Sequence, residues 1–156
     1  MQFRRLLFSL CLILSVCACS IGVKYSTFLP VGSDRWNLSD TLEFNTDTLR
    51  QRGRYAFKCD IRVNRDYPYL NLVMIVERNV IRDSLKVMQK MEKLTIPVFE
   101  THGKIKGEGV ALKQISSNLS DFILEKGDSL NIRVYHQMSL NTLPGVVDVG
   151  ITMTER

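Results

Sequence analysis

The chain is 156 residues long, 45% hydrophobic and 24% charged, with 21 Lys and Arg against 16 Asp and Glu and a net charge of +5. That composition excludes a disordered polyelectrolyte and supplies enough apolar material for one folded domain with its own core. The cationic excess is spread along the chain rather than interleaved with aromatics, so the footprint of a nucleic-acid binder is missing.

The opening stretch, MQFRRLLFSLCLILSVCAC, sets Arg4 and Arg5 before an apolar run over residues 6–16. The run is shorter than the roughly 20 apolar residues of a membrane-spanning helix. A basic start, a brief apolar run and a small-residue exit describe a secretory leader. Its exit, Val16-Cys17-Ala18-Cys19, follows the order of bacterial lipoprotein leaders: an aliphatic residue, two small ones, then the cysteine that receives lipid. Ala18 suits the small pocket ahead of that cysteine, whereas branched Val16 ahead of Cys17 does not. Cys19 is the expected lipidation site, with residues 1–18 as leader, 19–24 as tether and 25–156 as the folded domain. Each buried methylene contributes about 0.8 kcal/mol, so two or more acyl chains hold such a domain firmly to a bilayer. Losing Arg4 and Arg5 takes 21 basic groups to 19 against 16 acidic, a mature charge near +3. Cys59 is left without a partner for an internal disulfide and is expected to be a buried free thiol. No acidic run follows Cys19.

Strand signals follow in order. Residues 24–29 and 41–45 are short candidates separated by the Gly32-Ser33-Asp34 break. Arg50 to Arg54, RQRGR, reads as a solvated turn. Residues 55–63, YAFKCDIRV, alternate strictly, with Tyr55, Phe57, Cys59, Ile61 and Val63 on one side. After Asn64-Arg65-Asp66, residues 71–77 are continuously apolar, as an inner strand covered on both faces should be. Residues 83–94 place Val87, Met91 and Leu94 on one helical face behind a capping Asp83, and admit either one short helix or an irregular strand. Residues 94–99, 104–112 and 121–124 are further strand candidates. Residues 129–138 and 146–153 alternate again, the second after the Leu143-Pro144-Gly145 reversal. Many short strands with regular breaks predict an all-β fold: a single antiparallel β-sandwich, jelly-roll-like, with at most one short helix near 83–94.

Residues for chemistry are few. His102 and His136 are the only histidines, 34 positions apart, and neither has carboxylates or cysteines at metal-ligand spacing. No nucleophile–base–orienter set, nucleophile elbow or phosphate loop is present, so no catalytic, metal-binding or cofactor residue is assigned and a non-enzymatic protein is expected. His136 falls in phase with the apolar face of its strand and reads as a hydrogen-bonded, half-buried side chain. The sole tryptophan, Trp36, lies in a polar stretch; it is either an exposed stacking platform for sugar or protein or, more in keeping with tryptophan's usual burial, a ring packed over the end of the sandwich. Tyr67, Tyr69 and Asp148 complete the candidate binding residues. Gly150 inside a strand predicts a bulge or a close approach by another backbone.

The order of features is distinctive. A lipid-modification motif is followed by Trp36, by YPYLNL at residues 67–72, by the Gly107-Glu108-Gly109 turn, by His136-Gln137-Met138 and by LPGVVDVGI at residues 143–151. In this the chain resembles the gliding motility-associated lipoprotein GldH family of the Bacteroidetes over nearly the whole mature length. It departs from that pattern at Lys104-Ile105-Lys106, where the family carries an aromatic. The resemblance implies an outer-membrane lipoprotein that accompanies the gliding and type 9 secretion machinery in motile members, held by its lipid and working through an envelope protein partner; surface-displayed lipoproteins of that phylum often carry an acidic run beside the modified cysteine, so the lack of one after Cys19 favours the inner leaflet, facing the periplasm. A glycan- or ligand-binding lipoprotein using Trp36 and the Tyr67–Tyr69 loop is the alternative.

Overall fold

The computed structural model describes residues 22–32 and 35–156. Ten strands follow in chain order: β1 (Val23–Pro30), β2 (Arg35–Asn37), β3 (Leu42–Asn45), β4 (Gly53–Val63), β5 (Asn71–Arg82), β6 (Leu85–Pro97), β7 (Lys113–Leu124), β8 (Ser129–His136), β9 (Thr142–Pro144) and β10 (Val146–Glu155). They form two four-stranded antiparallel sheets, β1-β10-β4-β7 and β3-β8-β5-β6, with β2 and β9 pairing as a small third ladder. The alternating faces of β4, β8 and β10 meet between the large sheets, where Phe57, Ile61, Val76, Ile132, Val134 and Ile151 are buried in one cluster. Cys59 lies in that cluster, and burial pushes its thiol up to about 12.

Strand β1 begins at Val23, opposite Thr154, so ordered pairing reaches two residues into the expected 19–24 tether. Cys19 itself lies outside the described residues.

Of the two readings of residues 83–94, a short helix or an irregular strand, the structure takes the strand: they form the turn and returning arm of a β-hairpin. Asp83 and Ser84 sit at φ of 50° and 64°, the left-handed pair of a tight two-residue turn, and β6 returns along β5 from Arg82↔Leu85 to Asn71↔Pro97. A two-residue turn with both central φ values positive matches the twist of the flanking strands. The helical spacing of Val87, Met91 and Leu94 is accidental, because Met91 and Leu94 project from opposite faces of β6 and Val87 falls at a bulge where the register shifts opposite Val80 and Ile81. Pairing with β5, remote in any helical scheme, decided the outcome.

Residues 104–112 form a loop held by two isolated bridges, Phe99↔Ile105 and Glu108↔Gln114, rather than a strand. The candidate at 121–124 is the end of the twelve-residue β7, whose middle, Ser116-Ser117-Asn118, is too polar to signal a strand. At Gly150 the register is unbroken; the close approach comes from a side chain, since a Cβ there would stand 2.6 Å from Cε1 of Phe28 on the neighbouring strand.

One buried charge ties the two sheets together. Arg78 is fully buried on the inward face of β5, its guanidinium 4.7 Å from the Phe57 ring centroid and 4.2 Å from that of Phe122. It donates to Ser120 O at 2.7 Å, to Ser120 Oγ at 2.8 Å and to the Glu92 carboxylate, and Ser120 N donates to Glu92 Oε1 at 3.1 Å. These bonds close the seam between the edge strands β6 and β7. Desolvation pulls the Arg78 pKa down to about 10, with Asp121 opposing, so the charge persists at neutral pH.

Candidate functional site

The sandwich has two distinct ends. Strands β4, β8 and β1 finish at one, and β5, β7 and β10 begin there, so the loops at 31–41, 64–70, 98–112 and 137–145 gather together. The start of β1, and with it the chain's exit toward Cys19, is at the other. The motifs singled out in the sequence converge on the loop end.

Two of them interlock. Asn64 Oδ1 accepts Asp66 N–H at 2.8 Å, Asn64 N–H donates to Gly145 O at 2.9 Å, and the Tyr67 hydroxyl donates to Asn71 O at 2.9 Å. Gly145 has φ of +79°, and a Cβ there would lie 2.5 Å from Tyr67 Cα. The tyrosine loop and the Pro144-Gly145 reversal are thus in backbone contact, which only glycine permits at that position. Tyr67 is buried, its hydroxyl pKa pushed up by desolvation, and it meets Tyr69 edge-to-face at 6.0 Å.

Trp36 and His136 form the second knot. Trp36 pairs with Leu143 in the small ladder, and its Nε1 donates to Asp40 O at 3.2 Å. His136 packs edge-on against it at 5.3 Å, donates from Nε2 to Trp36 O at 3.2 Å, and accepts Met138 N–H at Nδ1 at 3.3 Å. Those bonds define a neutral imidazole, and burial lowers its pKa against the opposing effect of the Trp36 carbonyl. Met138 in turn accepts Val73 N–H at its sulfur. The His-x-Met motif is a strand terminus tied to β2 through Trp36 and to β5 through Val73.

Asp148 stands apart, on the outer face of the first sheet. Its Oδ2 meets Arg62 Nη1 at 3.4 Å, while Oδ1 is buried without a hydrogen-bond partner among the described residues. Desolvation raises its pKa, with Arg62 pulling the other way. Arg62 lies over the Phe28 ring at 3.8 Å and reaches Gln114 Oε1 at 3.2 Å. Beside this row Asp60, 3% exposed, accepts from the Ser116 hydroxyl.

The candidate binding residues therefore have separate fates. Trp36 at 0% exposure and Tyr67 at 1% are interior, so neither ring is a stacking platform for a sugar; only Tyr69 reaches the surface. Polar contacts made by the indole and the phenol satisfy them inside the fold, which removes the reason for either ring to face water. What the loop end does expose is apolar: Leu70 at 72%, Val110 at 94%, Leu38 and Leu140. A shallow hollow of about 440 Å³ lies between Val63, Arg65, Lys104, Ile105, Val110 and Lys113. Exposed aliphatic tips beside three cations suit contact with another macromolecule. Sequence reasoning missed these tips, because an isolated Leu or Val in a loop carries no pattern. It also missed Arg78 and the buried Asp60, which sit in strands with little outward sign.

Among the described residues no three His, Cys, Asp or Glu side chains group as metal ligands, and no helix is long and apolar enough to cross a membrane.

Comparison with known proteins gives one informative match: the family model described as GldH lipoprotein fits residues 23–153. No curated protein sequence matches the chain. Among solved structures, an Eiger TNF from S. frugiperda is 9% identical with a TM-score of 0.40, covering 86% of this chain and 93% of that one. An infectious bursal disease virus VP2 subviral particle is 12% identical with a TM-score of 0.36, covering 85% and 30%. A CocE/NonD family hydrolase from Staphylococcus aureus is 8% identical with a TM-score of 0.41, covering 86% and 32%. The chain spans about a third of the latter two, and likeness at these scores carries no argument about activity.

Proposed function

The chain belongs to the GldH lipoprotein family, and from that premise we propose that it is a lipid-anchored, non-enzymatic lipoprotein of the outer membrane, serving an envelope assembly through protein contacts. Cys19 carries the lipid, and the domain faces the periplasm from the inner leaflet. In motile relatives the assembly is the gliding and type 9 secretion machinery.

The observation that carries this reading is the extent of the family match, which runs from the first strand to the last. The arrangement of the domain supports it. The shared motifs build the loop end, opposite the tether, and that end exposes Leu38, Leu70, Val110 and Leu140 where a partner can reach them. A surface of this kind recognises by burying aliphatic tips within a polar rim. The glycan-binding alternative used Trp36 and the Tyr67–Tyr69 loop; with Trp36 and Tyr67 buried, Tyr69 is the one ring of the three left at the surface for it.

The test is site-specific photocrosslinking in native envelopes. A crosslinker at residue 70 or 110 should capture one discrete envelope protein, and one at Asn118, in the middle of β7, should not. Capture at every position alike, or at none, would overturn the assembly role.

A further inference from the structure

We infer that the tether end of the sandwich is a lipid-facing surface, seated on the headgroups of the anionic bilayer that holds the anchor, with Leu85 at the tip of the β5–β6 hairpin entering the interface. The inference rests on the anchor proposed above and adds an orientation to it.

Hydrogen bonds and ion pairs identify one continuous end. Gly22 O accepts Glu155 N–H at 2.7 Å, and Glu155 pairs with Lys24 at 2.8 Å. Next to them, Arg52 pairs with Glu125 at 3.1 Å, Gly127 N–H donates to Leu49 O at 2.9 Å, and Leu49 N–H donates to Asp128 O at 2.7 Å. Asp128 then holds Arg82 in a fork at 2.7 and 3.0 Å, and Arg82 stands opposite Leu85 across the hairpin turn. The tether exit and the hairpin tip therefore lie at the same end of the molecule.

Chain length brings that end to the membrane. Only Ser20 and Ile21 separate Cys19 from Gly22, and three residue steps span at most about 10 Å. A lipidated Cys19 cannot hold this end far from the bilayer surface.

The chemistry of the end suits the interface. Leu85 is 68% exposed and Ile123 66%, with Val23 and Val87 also exposed, an apolar fringe that water alone does not explain. Cations stand among them. Glu155, Glu125, Asp121 and Asp128 are each taken up in ion pairs with Lys24, Arg52, Arg54 or Arg156, and Arg82. Arg50, Lys86 and Lys126 have no ion pair among the described residues, against Asp47 and Asp83 as unpaired acids. Aliphatic tips beside uncommitted Lys and Arg are what an interfacial, headgroup-level contact requires.

The test uses the full lipoprotein reconstituted in phosphatidylglycerol-rich vesicles and compares two variants of matched exposure, Leu85→Trp at the tether end and Leu70→Trp at the loop end. Trp36, buried at the loop end, serves as the internal reference in both. Flotation reads the anchor, and quenching by lipids brominated in their acyl chains reads the contact. Leu85→Trp should lose most of its added emission and shift it to the blue, while Leu70→Trp and Trp36 stay unquenched. Flotation without quenching at residue 85, or quenching at residue 70 instead, overturns the orientation and leaves the anchor standing. Failure to float overturns both.

Discussion

Replacing Gly145 by alanine separates two costs that usually arrive together. The residue sits at φ of +79°, where a side chain costs about 1–2 kcal/mol. A Cβ would also stand 2.5 Å from Tyr67 Cα and 2.7 Å from Asp66 C, both backbone atoms of the facing loop. Moving that loop strains the bond from Asn64 N–H to Gly145 O, and overpacking of this kind adds about 1–3 kcal/mol. The sum, about 2–5 kcal/mol, is a large part of the roughly 5–15 kcal/mol that stabilises a domain. Gly127 is the control: its φ is +93°, yet nothing lies within 4 Å of where its Cβ would be. Gly127→Ala should therefore show only the conformational part, about 1–2 kcal/mol. Urea unfolding followed by Trp36 fluorescence and by circular dichroism gives both values. With a slope of about 1–3 kcal/mol per molar, the Gly145→Ala midpoint should fall visibly further than that of Gly127→Ala. Equal shifts would refute the reasoning, because the contact between the tyrosine loop and the Pro-Gly corner would then contribute nothing.

Other outcomes follow from the same contacts. Arg78→Ala, which empties the space between Phe57 and Phe122 and removes the seam bonds, should cost about 3 kcal/mol or more in urea unfolding, whereas Arg78→Met, which keeps the volume, should cost clearly less. Because burial lowers the His136 pKa below 6.5, the unfolded chain binds more protons there; stability should be full above 6.5, fall as pH drops below it, and lose that dependence in His136→Gln. The Cys59 thiol, fully buried and pushed up to about 12, should resist alkylation at neutral pH until the chain is unfolded, which mass spectrometry of the labelled protein reads directly.

Period-two alternation made the core strands legible, since Phe57, Cys59, Ile61 and Val63 face inward as their spacing demands. The Leu143-Pro144-Gly145 reversal was equally plain from turn chemistry. Other elements were hidden for identifiable reasons. Residues 85–94 mimic an amphipathic helix because β6 is an edge strand, exposed on both faces over its first half, so burial never imposed an alternating pattern. The polar middle of β7 concealed a strand whose partners lie fifty or more residues away in β4. The candidate site was legible in its framework and not in its surface. Trp36, Tyr67 and His136 stood out by residue type and proved to be the internal fittings of the loop end. Its exposed aliphatic tips became visible only once neighbouring loops were in place.

The most direct measurement concerns the nineteenth residue. Envelope fractionation of the native protein and of Cys19→Ser, with mass spectrometry of the mature N-terminal peptide, should find the native chain in outer membranes with acyl chains on Cys19. The variant should be unacylated and either retained as precursor or released from the membrane. A Cys19→Ser protein that matures normally and stays with the outer membrane would contradict the account.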